Sequence, residues 1–171
     1  MIPLFFNNAG PSVPKLNYMI DPLTRINLPH IERLIAQRRY FVLHAPRQTG
    51  KTTCVLALMA HLNAQGNYRA LYANIETAQA ARNRIKAGID ATVEAIASSA
   101  EVYLQDQSLT QWLKAQRRDY APESLLQTML QHWSLRSSQL IVLFLDEIDA
   151  LVGDTLISVL RQIRGGYTQR P

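Results

Sequence analysis

The chain has 171 residues, of which 47% are hydrophobic, and this is enough for one globular domain that buries roughly 70% of its unfolded surface. Its formal charge is +5, and its single cysteine, Cys54, excludes an intrachain disulfide. No apolar run approaches the roughly 18 residues of a membrane span, and the amino-terminal stretch lacks the pattern of a secretory signal. We therefore expect a cytoplasmic protein with no membrane association.

An irregular lead-in is predicted for residues 1–28, because proline and asparagine interrupt any long element there. From Pro29 onward, apolar residues recur at helical spacing, which predicts a short helix. Within the lead-in, Tyr18, Met19 and Ile20 are candidate contacts to a nucleotide base, with ordinary surface packing as the alternative.

Residues 40–53, YFVLHAPRQTGKTT, carry the first chemical motif. The apolar residues 40–43 predict a strand and residues 54–62 predict a helix. A loop between a strand and a helix is the context of a phosphate-binding P-loop, in which the first N–H groups of the helix and its dipole hold an anion. We predict that the whole loop binds the nucleotide, through Ala45, Pro46, Arg47, Gln48, Thr49, Gly50, Lys51, Thr52 and Thr53.

Three adjacent residues of the loop are expected to have separate roles. Gly50 lets the backbone approach the phosphates, Lys51 brings a positive charge to the β and γ phosphates, and the Thr52 hydroxyl ligates Mg²⁺. The usual motif opens with glycine, whereas this chain has Ala45, so the entry of the loop should be less strained or differently shaped. Pro46 favours an extended Ala45, which fits a chain that has just left a strand. The alternative interpretation is that the segment binds no ligand and is simply a strand, a polar turn and a helix with an exposed lysine.

Several elements are predicted outside the motifs. Gly66 should end the helix that follows the loop. The sequence pattern of residues 69–75 predicts a strand. Asp154 is the expected N-cap of a final helix over residues 155–164. Three further helices are expected at residues 79–104, with a break near Ser98, at 109–117 and at 122–135.

The second chemical motif is QLIVLFLDEID, residues 139–149. Six consecutive apolar residues, 140–145, predict a strand buried on both faces of a parallel sheet. Asp146 and Glu147 follow at its carboxyl end, where open α/β sheets bind ligands. Asp146 can hold Mg²⁺ and Glu147 can deprotonate the attacking water, which is the Walker B arrangement. Taken alone, these acids also fit a solvated strand end.

Together, the two motifs make the chain resemble the AAA-like branch of P-loop ATPases. The chain particularly resembles a bacterial group of AAA-like ATP-binding proteins with strings very like YFVLHAPRQTGKTT and LDEIDALVGDTLISVLRQIRGGY, in which alanine at the first loop position is ordinary. The resemblance covers most of the chain from about Asn17 onward. It implies Lys51 and Thr52 as phosphate and Mg²⁺ contacts, Asp146 as the acid on the metal side and Glu147 as the catalytic base.

The resemblance also implies the fold class: an α/β three-layer P-loop NTPase sandwich, with a parallel sheet flanked by helices. Similar proteins continue beyond residues 165–166 into a strand that ends in a polar sensor residue, followed by helices and arginines. That strand lies between the P-loop strand and the Walker B strand, so we expect a truncated sheet that exposes backbone groups at its centre. The predicted domains are thus the lead-in, 1–28, and a partial ATPase domain, 29–171.

The leading functional prediction is Mg²⁺-dependent binding and hydrolysis of ATP, with ATP and Mg²⁺ as cofactors and Glu147 and Lys51 as catalytic residues. The alternative is a truncated module that binds ATP without turnover. A protein partner, or self-assembly through the ATPase domain, is compatible with either. Nucleic-acid binding rests on net charge alone, because the basic residues are scattered along the chain.

Overall fold

Helices predominate over strands in this protein. The computed structural model describes residues 3–7, 10–46 and 48–169, which divide into two units, residues 1–65 and 66–171. The α-helices are α1 (Leu28–Ala36), α2 (Lys51–Ala64), α3 (Ile85–Leu104), α4 (Ser108–Gln116), α5 (Pro122–Arg136) and α6 (Gly153–Gly165), and the strands are β1 (Tyr68–Asn74) and β2 (Leu140–Asp146). Short 3₁₀ helices cover Pro22–Arg25, Glu76–Ala81, Arg117–Asp119, Ile148–Ala150 and Gly166–Gln169. The fold is α/β, as predicted.

The first unit contains α1 and α2. Asn27 caps α1, since its side-chain oxygen accepts a hydrogen bond of 3.2 Å from the backbone N–H of His30. Polar side chains connect the two helices: Glu32 Oε1 of α1 accepts a hydrogen bond from Gln65 Nε2 at 2.9 Å and lies 2.9 Å from His61 Nε2. The Glu32 carboxylate therefore fixes the amino-terminal helix to the end of α2.

The strand predicted for residues 40–43 is wrong, because residues 39–46 have no regular secondary structure. Tyr40 is 51% exposed and Val42 is 86% exposed. Within the described residues, the only sheet consists of β1 and β2. An apolar run becomes a strand only when its backbone joins a ladder, and sequence patterns do not reveal whether that ladder exists.

The second unit is built on the parallel pair β1 and β2, whose positions match the predicted strands to within one residue. The register runs from Tyr68 opposite Leu140 to Asn74 opposite Asp146, so both strands end at the same edge. The expectation that β2 is buried on both faces is wrong, because Leu140 is 44% exposed and the next three residues are half-buried.

One face of the sheet packs against the helices of this unit. Leu71 and Ala73 of β1 are fully buried in the core, and Leu143 of β2 packs against it. The helices contribute buried side chains that include Ile89, Ile96, Leu126, Met129 and Val159. Because side chains alternate along a strand, Tyr72 and Asp146 lie on the opposite face.

Two helix boundaries differ from the predictions. The helix expected from residue 79 begins at Ile85, after the 3₁₀ helix Glu76–Ala81, and continues past Ser98 without a break. The N-cap of α6 is Val152, and Asp154 lies in the first turn, where its negative charge suits the helix dipole.

Asp106 joins several elements of the second unit. Its carboxylate accepts hydrogen bonds from Arg69 Nη2 at 2.7 Å, from Trp133 Nε1 at 3.0 Å and from the Ser108 backbone N–H at 2.9 Å. Burial alone would raise the pKa of Asp106, but the hydrogen bonds from Ser108 and Trp133 and the charge of Arg69 outweigh it and hold that pKa below its usual range. Asp106 therefore stabilises the folded state only while it is ionised.

Replacing Asp106 should reveal this linkage. A carboxyl group with a lowered folded pKa contributes stability above its unfolded pKa of about 4, and this contribution is lost as pH falls through the folded pKa. Asp106→Asn should cost about 1–3 kcal/mol at pH 7 and flatten the loss of stability below about pH 4, measured by urea unfolding across pH. Asp119→Asn, at an exposed position, is the control. An unchanged acid slope in Asp106→Asn would contradict this account.

A close approach of α3 and α6 provides a second test of the fold. An alanine Cβ at Gly88 would overlap Cγ2 of Thr155, which is fully buried and donates a 2.5 Å hydrogen bond to the Arg82 carbonyl. Gly88→Ala should therefore lower the free energy of unfolding by about 1–3 kcal/mol, measured by thermal or urea unfolding. Gly166→Ala is the matched control, because among the described residues no atom beyond its own chain neighbours and helix backbone lies within 4 Å of its Cβ position. Equal stability of the two variants would refute the predicted clash.

Candidate nucleotide site

The loop that leads into α2 has a tightly turned backbone. Gln48 and Gly50 both have positive φ, at 60° and 78°, and the Thr49 hydroxyl donates a 2.7 Å hydrogen bond to the Pro46 carbonyl. Ala45 is not among the described residues with positive φ, so alanine is accommodated there without left-handed strain. Arg47, which was predicted to belong to the loop, lies outside the described residues.

Gly50 is the N-cap residue of α2 and sets where the helix begins. Lys51 and Thr52 are the first two residues of the helix, and both are half-buried. The first N–H groups of an α-helix have no acceptor within the helix, and the helix dipole makes this end positive. The predicted phosphate contacts of Gly50, Lys51 and Thr52 are thus gathered at the helix end that favours an anion.

The lead-in is attached to the first turn of α2. The Ser12 backbone N–H donates to Thr53 Oγ1 at 3.2 Å, and Cys54 Sγ donates to the Pro22 carbonyl at 3.4 Å. The Thr53 hydroxyl, predicted to contact the nucleotide, therefore already accepts one hydrogen bond from the lead-in.

A cleft of about 460 Å³ lies in the same unit. Tyr18 and Met19, two of the three predicted base contacts, line it, whereas Ile20 is not in its lining and is 74% exposed. The cleft is also lined by Leu4, Pro14, Asn17, Asp21 and Pro22. Since the Pro22 carbonyl is hydrogen-bonded to α2, the cleft lies close to the helix that follows the loop.

Arg25 is a residue that the sequence patterns missed. Its Nη1 atom lies 2.9 Å from the position that a Cβ on Gly50 would occupy, so the guanidinium group lies against the loop. Nothing in the loop motif refers to a residue this far upstream. The contact places a cationic side chain at Gly50, the residue before Lys51.

The net charge of the chain is concentrated in the first unit. Residues 1–65 contain seven Lys and Arg against two Asp and Glu, a net charge of +5, which equals the charge of the whole chain. Residues 66–171 contain eleven of each sign. The unit that carries the phosphate loop therefore attracts anions, and the unit that carries Asp146 is neutral overall.

The acidic pair lies at the carboxyl end of β2. Asp146 is only 7% exposed, its Oδ1 accepts a 3.1 Å hydrogen bond from the Glu147 N–H, and its Oδ2 accepts one from the Tyr72 hydroxyl at 3.1 Å. Burial, followed by the negative charge of Asp146, raises the pKa of Tyr72 far above its ordinary value, so this hydroxyl remains a donor. Tyr72 is the second site residue that the sequence patterns missed.

Glu147 has an unusual backbone conformation. Its φ of 59° and ψ of 34° are left-handed, which costs a residue other than glycine about 1–2 kcal/mol. The residue ends the strand and leads directly into the 3₁₀ helix Ile148–Ala150. Such strain commonly occurs at functional sites, where it fixes the direction of a side chain.

Magnesium chemistry agrees with the donors that are present. Among residues 3–7, 10–46 and 48–169, no cluster of three or more His, Cys, Asp and Glu side chains could hold a metal ion. Mg²⁺ does not need such a cluster, because it usually binds one or two protein oxygens together with substrate phosphates and water. The Asp146 carboxylate and the Thr52 hydroxyl are each a donor of this type.

These features define a class: an α/β domain with a glycine-turned loop at a helix start and a buried acid at a strand end. The family model described as AAA domain matches residues 34–168. The chain therefore belongs to the AAA domain family, which supports a P-loop and nucleotide binding. Searches of curated proteins and of solved structures gave no match. No helix in the described part of the chain is both long enough and apolar enough for a bilayer crossing.

A glycine substitution should separate backbone strain from ligand binding. Gly50→Ala and Gly66→Ala both place alanine at a φ near +78°, so each should cost about 1–2 kcal/mol of stability. Only Gly50→Ala should also weaken nucleotide binding, because its Cβ would displace Arg25 and reshape the loop. Titration with a fluorescent nucleotide, alongside urea unfolding, would measure both effects. Equal nucleotide affinity in the two variants would remove Gly50 from the site.

Proposed function

We propose that this domain binds Mg²⁺-ATP and hydrolyses its γ-phosphoanhydride bond. The observation that carries the proposal is the geometry of the loop, which turns through Gly50 so that α2 begins at Lys51, in the unit that holds the whole net charge of the chain. A polyphosphate is the ligand class that matches a helix N-terminus, a lysine and a net positive charge.

The loop residues from Ala45 to Thr53 bind the phosphates in this proposal. Lys51 contacts the β and γ phosphates, and Thr52 provides a hydroxyl ligand to Mg²⁺. The ion supplies charge neutralisation at the phosphate oxygens. Tyr18 and Met19 contribute to holding the base, because they line the cleft next to the lead-in's attachment to α2.

The two carboxylates of the acidic pair, Asp146 and Glu147, have separate roles in metal binding and proton transfer. Asp146 is buried and hydrogen-bonded through both oxygens, so it suits a fixed ligand on the metal side. Glu147 is half-buried and held in a strained backbone conformation, which suits a base that must be directed at water. Glu147 takes a proton from the attacking water as the water oxygen bonds to the γ phosphorus. The bond from that phosphorus to the β–γ bridging oxygen breaks, and ADP and phosphate are the products. Catalysis then consists of positioning and electrostatic stabilisation.

A second function, ATP binding without turnover, is favoured by one observation. Residues 39–46, which lead into the loop, form no strand, so no sheet fixes the entry of the loop. Binding tolerates such freedom better than hydrolysis, which requires the water and the phosphate to be aligned. Phosphate release measured together with nucleotide binding distinguishes the two functions.

Two substitutions should separate binding from hydrolysis. Glu147→Gln should slow phosphate release by roughly 10²–10⁴ with little change in ATP affinity, because the amide cannot accept the proton. Lys51→Ala should weaken ATP binding itself, because a charge next to the phosphates is lost. Nucleotide titration and a phosphate-release assay measure the two quantities.

Matched controls remove the same chemical groups from other places. Asp149→Asn removes an exposed carboxylate two residues from Glu147, and Lys15→Ala removes an exposed lysine from the same unit as Lys51. Neither control should alter turnover or affinity. If Glu147→Gln lost affinity and turnover equally, its role as the base would be wrong. Affinity retained in Lys51→Ala would contradict the phosphate loop.

A further inference from the structure

We infer that Tyr72 is a positioning residue for Asp146, and that its hydroxyl determines how tightly the site holds Mg²⁺. This inference rests on the proposed function, because it extends the metal-side role given there to Asp146. Tyr72 belongs to neither sequence motif and lies on a different strand from the acid.

The register of the sheet brings the two side chains together. Tyr72 of β1 lies opposite Phe144 of β2, and Asp146 is two residues further along β2. Residues two apart on a strand share a face, so Tyr72 and Asp146 are diagonal neighbours within reach of a long side chain. The Tyr72 hydroxyl indeed donates to Asp146 Oδ2 at 3.1 Å, and this bond is buried.

A tyrosine is chemically well suited to this position. A carboxylate that is only 7% exposed needs hydrogen-bond donors, since burying an unsatisfied charge is costly. The phenol hydroxyl donates such a bond while remaining neutral, so it adds no positive charge of its own beside the carboxylate.

The tyrosine itself is held in place. It is 7% exposed, and its ring meets that of Tyr103 edge to face, with centroids 6.0 Å apart and planes at 89°. With Oδ2 bonded to Tyr72 and Oδ1 bonded to the Glu147 N–H, rotation of the Asp146 carboxylate is restricted. Groups that orient a metal ligand by hydrogen-bonding to it typically contribute 10–100-fold to metal affinity.

The decisive variant is Tyr72→Phe, which keeps the ring and removes only the hydroxyl. A fluorescent ATP analogue would be titrated in EDTA and then at rising Mg²⁺ concentration. The affinity in EDTA should match that of the unaltered chain, and the Mg²⁺ concentration for half-maximal enhancement should rise about tenfold or more. Tyr103→Phe, which removes a hydroxyl from the neighbouring ring, should leave the Mg²⁺ midpoint unchanged. A folded Tyr72→Phe with an unchanged midpoint would overturn the inference.

Asp146→Asn distinguishes this inference from the proposed function. If Tyr72 acts through the carboxylate, Tyr72→Phe should produce no further change in the Mg²⁺ response once Asp146 is replaced. If the unaltered chain binds no nucleotide, or binds it with an affinity that does not depend on Mg²⁺, both the proposed function and the inference are refuted. If Asp146→Asn abolishes a normal Mg²⁺ response and Tyr72→Phe leaves it intact, only the inference is refuted.

A measurement on the unaltered chain covers the case in which Tyr72→Phe does not fold. The ring resonances of Tyr72, assigned through their contacts with Tyr103, should shift when Mg²⁺ is added to the nucleotide-bound protein. Resonances that stay unchanged through saturation with Mg²⁺ would overturn the inference.

Discussion

The parallel register of β1 and β2 is the constraint on which the second unit depends. It ends both strands at one edge, with Asn74 opposite Asp146, and it sets the face on which the acid lies. A shift of one residue would turn Asp146 into the core that Leu71 and Ala73 form with the helices. It would also break the hydrogen bond to Tyr72. The burial of an acid at the strand end is therefore a consequence of how the apolar face packs.

The first unit meets a different requirement, which is to present positive charge around a turned backbone. Gly50 adopts the left-handed conformation that starts α2, and the residues around the start include Lys51 and Arg25. Two hydrogen bonds connect the lead-in to the first turn of the helix. The Ser12 N–H donates to the Thr53 hydroxyl, and the Cys54 thiol donates to the Pro22 carbonyl. These cationic side chains at the start of α2 suit the phosphate contacts of the proposed function.

The two acids of the proposed chemistry differ from ordinary strand-end residues in backbone conformation and in burial. Glu147 adopts a left-handed conformation that an ordinary strand end would not require, and Asp146 is a carboxylate buried with donors on both oxygens. Asp106, by contrast, is a carboxylate whose partners Arg69 and Trp133 come from other elements of the same unit, so its contribution is to stability. Among the hydrogen bonds described here, Asp106 accepts one from an arginine, whereas Asp146 accepts from the Tyr72 hydroxyl and the Glu147 N–H.

The sequence by itself determined the features that depend on near neighbours: the loop with Gly50 and Lys51, the strand predicted at 140–145, the helix that starts at Pro122, and the acids at the strand end. It was wrong about residues 40–43, because a strand requires a partner that local patterning does not specify. Only the tertiary structure decided the contacts of Arg25 with Gly50 and of Tyr72 with Asp146. The physical reason is that both join residues far apart in the chain, through packing and register that no local spacing encodes.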